Sequence, residues 1–401
     1  MLCVAAVGAQ ARDWTLTQVL TEAQFNHPSV KLRRSETRAA VAELQTAHWG
    51  RYPALSAELQ AGKGADEAIA RLQQPLWTGG RLTGQIKRAE ANLGAAEAKV
   101  EQARQAILLE AGQVFFEHLR LKARLLAAQA NVAEHRRLQE VIERRVQAEV
   151  SPATDATQAR ARLQQAISER LQFERQLEAS RSTLTQIVGS DPGQLSMPRA
   201  VHLQATSIGD LQSAAWAHSP ERRHLQALVE AGQAEVDTTR SALMPQVHLS
   251  YDLKLGHLPA GEDRGRLFLG LSMQTGAGLS SLSTMETAVA RQQAARDGLE
   301  QYQRQLEQSV RAGWNEFSSL SEQLEPARAL LGAADEVVAS YLRQFQVGRK
   351  TWLDVLNAQR EKTNARYTLA DIEAPLLHAK LRLVVLAGLL QPDAMGEVIH
   401  D

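Results

Sequence analysis

The chain is poor in cysteine, in aromatic residues and in net charge. Its 401 residues include 1 cysteine and 4% aromatics, and 45 Lys plus Arg balance 45 Asp plus Glu. The single Cys3 excludes a disulfide scaffold and any zinc site built from several cysteines. A balanced charge creates no field that would attract a polyanion, so we expect no nucleic-acid partner.

Long apolar runs are also missing. No window after the N-terminus holds the ~18 consecutive apolar residues that a membrane-spanning helix needs. We therefore expect no membrane-spanning helix. A short apolar run over residues 2–8 leads into Ala9-Gln10-Ala11, which has the small-x-small form of a signal-peptidase site. We therefore interpret residues 1–11 as the remnant of a signal peptide on an exported protein. A plain N-terminal tail is the alternative, because no basic segment precedes the run.

Signals for catalysis are absent too. The 11 histidines are scattered without an HExxH pair, and no Gly-Lys-Ser or Gly-Lys-Thr follows Gly79-Gly80. Gly79-Gly80 therefore indicates a backbone hinge and no phosphate-binding loop. Since no nucleophile and base can be paired either, we expect a protein that is not an enzyme and that has no metal and no cofactor.

What the sequence does contain is an internal repeat. Residues 16–59 match 208–251 at an offset of 192, and from about residue 75 the offset is 199. The pattern indicates a tandem duplication, with seven extra residues in one loop of the second copy. We place the first copy at 12–200 and the second at 201–390, followed by a C-terminal tail at 391–401.

Each copy is predicted to form a helix, a β-hairpin, a long helix, a short turn and another helix. The fold class is therefore mainly α with a small β part, in which long coiled-coil helices and two hairpins are duplicated. The first copy is predicted to contain a hairpin at 54–76, a long helix at 81–147 and a helix at 153–188. The second copy is predicted to contain a hairpin at 246–274, a long helix at 283–346 and a helix at 351–388.

The long helices carry a coiled-coil repeat. Apolar residues fall seven apart in the first copy, at Ile86, Leu93, Val100, Ile107, Val114 and Leu121. Such a seam needs a partner helix at close range. The first long helix would measure about 100 Å, and the two shorter helices of the copy, laid end to end, would match it.

The hairpins have the pattern of lipid-facing strands. Apolar and polar residues alternate over 247–255 and again over 267–273. Strands of ~10 residues with one apolar face have the length that crosses an outer membrane, but a spanning barrel needs at least about eight strands. Closure of a barrel would then require oligomerisation. Two hairpins packed on a soluble helical body remain the alternative.

Three stretches, taken with the duplication, carry a resemblance to a known family. They are Pro53-Ala54-Leu55-Ser56, the segment PLWTGGR at 75–81 and the segment FQVGRKTWLDVLNAQ at 345–359. From about residue 14 to 390 the chain resembles the TolC family of outer-membrane channel proteins. The resemblance implies a homotrimer whose twelve-stranded transmembrane β-barrel lies in outer-membrane lipid and continues as an α-barrel through the periplasm. It also implies two partners, a periplasmic adaptor (membrane fusion protein) and an inner-membrane transporter.

The resemblance further implies a periplasmic entrance at the two helical turns, 147–155 and 346–357. Lys350 matches the basic residue of the latch that holds the family's entrance shut, and Thr154 with Asp155 matches its partners. Phe345 stands where the family can have an aromatic hydroxyl. The tips that would contact the adaptor are Glu149, Val150, Ser151, Val347, Gly348 and Arg349.

Two rings of acidic residues narrow the pore in members of this family. Asp354 matches one ring, whereas Asn357 occupies the position of the other. Each assignment has a simpler competitor. An acidic residue near a helix start, such as Asp155 or Asp354, is favoured by the helix dipole alone. Lys350 could likewise be a solvated charge at the tip.

The function implied is a passive exit duct, opened at its periplasmic tip. Residues 352–357 look most like members that serve type I secretion of large adhesins, and multidrug or small-molecule efflux is the alternative. A periplasmic coiled-coil adaptor or scaffold would explain the heptads, although it would not explain two strand pairs with a lipid-type face.

Overall fold

The computed structural model describes residues 14–60, 67–203, 207–255, 263–273, 276–390 and 399–400. The predicted signal segment, both hairpin tips and most of the predicted tail lie outside these ranges. The chain divides into two compact units, and each unit draws on both copies of the repeat. One unit comprises residues 1–28, 104–218 and 306–401, and the other comprises 29–103 and 219–305.

Helices make up most of the described chain, which confirms the mainly α prediction. In the first copy they are α1 (Leu16–Asn26), α2 (Pro28–Trp49), α3 (Arg81–Gln147) and α4 (Ala153–Val188). In the second copy they are α5 (Ile208–His218), α6 (Pro220–Arg240), α7 (Ser280–Gln346) and α8 (Trp352–Leu386). Within the described residues, none of these helices combines the length and apolarity that crossing a membrane requires.

The prediction of a single helix before each hairpin is wrong, because in each copy a proline divides that segment into two helices. In the first copy His27 is extended, with φ −62° and ψ 135°, and Pro28 begins α2. In the second copy Ser219 precedes Pro220, and its side chain caps α6 by accepting the Arg222 N–H at 3.1 Å. Proline disfavours helical backbone in the residue before it and fits the first helical position.

Strands form one larger sheet and one small pair. Both predicted hairpins are present, as β1 (Ala54–Gln60) with β2 (Glu67–Trp77) and as β4 (Gln246–Leu255) with β5 (Gly265–Ser272). They join because β2 pairs with β4, so the sheet is antiparallel in the order β1-β2-β4-β5. In the other unit β3 (Ala200–Val201) pairs with β6 (Ile399–His400).

The heptad of α3 forms a buried seam, as predicted. Of its six apolar positions, Leu93 and Val114 are half-buried and the other four are at most 8% exposed. In the unit that contains the larger sheet, small residues bring α3 close to α6. A Cβ atom added to Gly84 would lie 2.4 Å from Thr238 Oγ1 and 3.2 Å from the Ala234 carbonyl oxygen. Since there is no room for even a methyl group, glycine is required at this contact.

Two glycines of α3 should therefore respond oppositely to alanine. Gly84→Ala should lower the free energy of unfolding by about 1–3 kcal/mol, because backbone atoms of α6 must move. Gly94→Ala is the matched control, since its nearest neighbour would be Ala227 Cβ at 4.0 Å. It should raise the stability by up to about 1 kcal/mol through helix propensity. Denaturant titration of the purified protein measures both, and equal effects would contradict the tight contact.

Candidate functional site

The sheet presents an apolar face that the chain leaves uncovered. Leu55 and Leu59 on β1 are 76% and 83% exposed, and Leu267, Leu269 and Leu271 on β5 are 65%, 67% and 73% exposed. These side chains lie on one face, since positions two apart along a strand share a face. A contiguous apolar surface of this kind marks a site of contact with a membrane or another protein.

The opposite face of the same sheet is polar. Arg71 on β2 donates two hydrogen bonds to the carboxylate of Asp252 on β4, at 2.7 and 2.8 Å. Arg266 on β5 lies directly across from Asp252, and its guanidinium lies over the Phe268 ring. The sheet thus separates an apolar surface from a charged one, as a wall between lipid and water must.

The second candidate region lies in the other unit, where α3 turns into α4 and α7 turns into α8. Each turn has one residue with left-handed backbone, Glu149 with φ 56° and Gly348 with φ 76°. In both turns an N–H after that residue donates back to a carbonyl five residues earlier: Val150 to Arg145 at 2.8 Å, and Arg349 to Gln344 at 2.9 Å. These are Schellman-type helix ends, and they lie 199 residues apart, at the repeat offset.

An aromatic cluster supports these turns from inside. Phe345, predicted to belong to the latch, is 5% exposed, and its ring lies 5.7 Å from that of Trp352. The Arg145 guanidinium lies 4.7 Å from the Phe345 ring centre. Residues from α3, α4 and α8 complete the cluster, namely Leu138, Ile142, Ala156, Ala159, Val355 and Leu356. Phe345 and Trp352 are thus packing residues that hold the two turns together.

In the described part of the chain, the other predicted latch residues do not pair with one another. The Lys350 Nζ atom lies 4.3 Å from the centre of the Tyr341 ring, a cation–π contact. Thr154 is exposed and Asp155 is half-buried. Among the described residues, the Asp155 carboxylate makes no hydrogen bond or ion pair. Of the predicted tip residues, Val150 and Val347 are 61% and 69% exposed, and Ser151 Oγ accepts from Arg145 Nε at 3.3 Å.

Asp354, predicted to line the constriction, caps its own helix. Its carboxylate accepts the Thr351 backbone N–H at 3.0 Å and the Thr351 hydroxyl at 2.8 Å, while its own N–H donates to that hydroxyl at 3.2 Å. These hydrogen bonds, with a smaller contribution from Lys350, hold the pKa of Asp354 below its ordinary 3.8. Because the pKa is lowered, the capping contribution is complete above pH ~4 and is lost as the pH falls further.

Asn357, the other predicted constriction residue, lines a small cavity between α3, α4 and α8. The cavity measures about 60 Å³ and is also lined by Asn131, His135, Arg162 and Arg360. Burial lowers the pKa of His135, and the nearby charge of Arg162 lowers it further. Within the described residues, no group of His, Cys, Asp or Glu has the spacing to hold a metal ion.

Sequence reasoning missed three residues that shape the turns, namely Tyr341, Arg145 and Thr351. Tyr341 lies four residues before Phe345, on the same face of α7, and that helical spacing could have indicated it. Thr351, three residues before Asp354, begins a capping box that the spacing could also have predicted. No sequence signal places Arg145 over Phe345, since that contact joins α3 to α7.

Comparison with known proteins gives a consistent result. The family model of outer membrane efflux proteins matches residues 19–190 and 211–389. The outer membrane efflux protein BepC of Brucella suis biovar 1 is 21% identical, over 97% of this chain and 88% of BepC. The outer membrane protein TolC of Vibrio cholerae is 22% identical, over 77% of this chain and 74% of TolC. The solved structure of VceC from Vibrio cholerae has the same fold, with a TM-score of 0.81 at 20% identity, covering 93% and 96% of the two chains.

The two left-handed turn residues should differ in their response to substitution. Gly348→Ala should destabilise the protein by about 1 kcal/mol, because a side chain is strained at this φ. No atom lies within 4 Å of the added Cβ, so strain is the only cost. Glu149→Gly is the matched control at the equivalent turn and should leave stability unchanged or raise it, since it removes the same strain. Denaturant midpoints measure both, and an unaffected Gly348→Ala would contradict this account.

Proposed function

Because the chain belongs to the outer membrane efflux protein family, we propose that it forms the outer-membrane exit duct of a tripartite export system. It is an outer-membrane channel protein and not an enzyme. The observation that carries the proposal is the sheet, whose exposed leucines and opposite charged face suit a wall between lipid and water. A periplasmic adaptor or scaffold would have no use for such a surface.

Closure of the duct requires more than one copy. A sheet of four strands is too small for a membrane barrel, which has at least about eight. Three copies would supply twelve strands, with the exposed leucines against lipid and the Arg71–Asp252 pair facing a water-filled interior. The long helices would extend from that barrel through the periplasm. A homotrimer is therefore our proposal for the working state.

The helical turns are our proposal for the periplasmic entrance. Exposed Val150 and Val347, with neighbouring Glu149, Ser151, Gly348 and Arg349, offer a surface for a periplasmic adaptor. An inner-membrane transporter would supply the energy, and the duct itself would be passive. Buried Phe345 and Trp352 would keep each pair of helices together while the tips are engaged.

The latch, in this proposal, acts between copies. Lys350 lies over Tyr341 within its own chain, and the Asp155 carboxylate has no partner there among the described residues. A Lys350 to Asp155 link, with Thr154 beside it, would thus join neighbouring copies and hold the entrance closed. Tyr341 would position the ammonium group, as an aromatic face does for a cation. Such links can shift the equilibrium of the entrance between a closed and an open state.

The constriction would carry one acidic ring and no second one. Asp354 stays ionised because Thr351 and Lys350 favour its charged form. Asn357 is neutral and half-buried beside the polar cavity, so it would add no charge to the pore. We therefore propose weaker cation preference than a channel with two carboxylate rings would have.

We first propose that the cargo consists of small molecules. BepC, whose alignment covers 97% of this chain, is named an efflux protein. Type I secretion of a large adhesin is the second candidate. It rests on the Trp352–Asn357 stretch, which resembles members that serve such secretion. Both candidates use the same duct and differ in the adaptor and transporter that engage it.

Reconstitution tests the duct and its latch. The purified protein should run as a heat-modifiable trimer from the outer-membrane fraction and should form channels in planar bilayers. Lys350→Ala and Asp155→Ala should each raise the single-channel conductance several-fold, whereas Arg349→Ala, beside Lys350, should leave it unchanged. Recovery as a soluble periplasmic monomer would disprove the duct. Unchanged conductance in both latch variants would disprove the latch alone.

Deletion of the gene distinguishes the two cargoes. If the duct serves efflux, the deletion strain should become several-fold more sensitive to detergents, dyes and hydrophobic antibiotics, while surface proteins stay unchanged. If it serves type I secretion, a large surface protein should disappear at unchanged sensitivity. Complementation with the intact gene is the control, and loss of neither property would contradict both cargoes.

A further inference from the structure

Polar side chains interrupt the apolar core where α3, α4 and α8 meet. Toward the turns, the core consists of the aromatic cluster around Phe345 and Trp352. Further from the turns, it consists of an apolar cluster around Phe173, with Tyr367 packed against it. The cavity of about 60 Å³ that Asn357 lines lies between these clusters along the three helices. A polar residue in such a seam lowers stability unless it has a partner.

Two buried polar residues of α3 form the floor of this cavity. Asn131 and His135, one helical turn apart, are 7% and 8% exposed. The Asn131 side chain bonds to Gln359 and Thr363 of α8. The His135 ring, by contrast, has no hydrogen-bond partner among the described residues. Burial lowers its pKa, with a smaller contribution from Arg162, so at neutral pH an uncharged imidazole lines the cavity with its ring nitrogens unsatisfied.

The charges around the cavity are mainly positive. Arg162 on α4 is half-buried, and Arg360 on α8 is exposed at the mouth. Within the described ranges neither guanidinium forms an ion pair, although Arg162 donates to the Gln165 side-chain oxygen at 3.0 Å. Glu169 is the one carboxylate among the described residues that line the cavity, and it accepts from Gln165 at 3.4 Å. Two cations against one anion give the cavity a positive potential, which attracts an anion.

The size and the donors of the cavity suit a small oxyanion. About 10–15 Å³ of cavity holds one water, so about 60 Å³ holds roughly four to six waters. A tetrahedral oxyanion such as phosphate or sulfate has a similar number of non-hydrogen atoms, whereas a nucleotide is too large. A guanidinium presents a planar fork of N–H donors that matches the oxygens of such an ion. Arg162 and Arg360 supply two of these forks, from different helices.

We propose that this cavity binds a small tetrahedral oxyanion, phosphate or sulfate, that is free in solution. Arg162 and Arg360 hold the ion by charge-assisted hydrogen bonds, and the His135 ring donates one more at the floor. The bound ion links α4 to α8, the last helices of the two repeat copies, one helical turn from Asn357. The inference goes beyond the proposed duct and does not depend on it, because every residue named lies in one compact unit of a single chain.

Titration of the purified protein in detergent with inorganic phosphate tests the site. Isothermal titration calorimetry, at an ionic strength held constant with sodium chloride, should show saturable binding of one phosphate per chain. Arg162→Gln and Arg360→Gln should each weaken binding by about tenfold or more, since each removes a charged hydrogen-bond donor. Glu169→Gln should instead tighten binding by about two- to tenfold, because it removes the opposing charge.

Arg160→Gln is the matched control for the loss of an arginine. Arg160 lies two residues before Arg162 on α4, is exposed and does not line the cavity. Its substitution should change phosphate binding by less than about twofold, since salt screens an exposed charge outside the site. Equal losses in Arg160→Gln and Arg162→Gln would show attraction by the general surface charge and would overturn the proposal.

Thermal stability provides a second measurement that separates loss of binding from misfolding. Phosphate should raise the unfolding midpoint of the unsubstituted protein, because a ligand that binds only the folded state stabilises it. His135→Leu removes a buried polar group that lacks a partner, so without phosphate its midpoint should be unchanged or higher. The further rise on adding phosphate should be smaller in this variant than in the unsubstituted protein. An equal rise in both would remove His135 from the site.

Competing anions identify the class of ligand. Sulfate should displace phosphate, whereas chloride at equal ionic strength should not. Glycerol 3-phosphate carries the same group on a larger molecule, as a lipid headgroup does, and it should bind more weakly than phosphate in so small a cavity. Tighter binding of glycerol 3-phosphate would assign the site to a headgroup and overturn the free oxyanion. Absence of saturable phosphate binding to the folded, unsubstituted protein would overturn the site itself.

Discussion

A four-stranded sheet that one copy of the chain cannot complete is the constraint on which the rest of this protein depends. Its leucines on β1 and β5 are mostly exposed, and in the described residues each edge strand has a strand neighbour on one side only. Lipid can cover the face, and further copies can cover the edges. The sheet itself depends on the duplication, because each copy of the repeat contributes one hairpin and the β2–β4 pairing joins the two hairpins.

The duplicated turns show how two copies of one motif have acquired different properties. Thr351 and Pro152 occupy equivalent positions, but only Thr351 has a hydroxyl and an N–H to form a capping box. Asp354 is consequently held by its own helix start, whereas the equivalent Asp155 keeps a carboxylate available to a partner. The turns are therefore chemically unequal, although their backbones are alike. This inequality makes Asp155 the better candidate for a link between copies.

Much of the fold could be predicted, because long periodic elements leave strong signals. The heptad of α3 predicted both the helix and its buried face, and α3 and α4 begin and end where the pattern indicated. The break at His27-Pro28 was missed, since apolar periodicity continues across it and only the proline rule opposes a continuous helix. The candidate site was less predictable. Contacts such as Lys350 over Tyr341 and Arg145 over Phe345 depend on how helices pack, which periodicity does not encode.

The sequence by itself determined the duplication, the helices, the alternating strands and the family resemblance, because each depends on residue spacing along the chain. Tertiary structure alone decided that the two hairpins form one sheet in a defined register, since pairing of β2 with β4 joins residues far apart in sequence. It also decided that Phe345 is buried, that Asp354 caps α8 and that the Asp155 carboxylate has no partner among the residues that the structure describes. Those outcomes depend on distances between elements, and no spacing within one element specifies them.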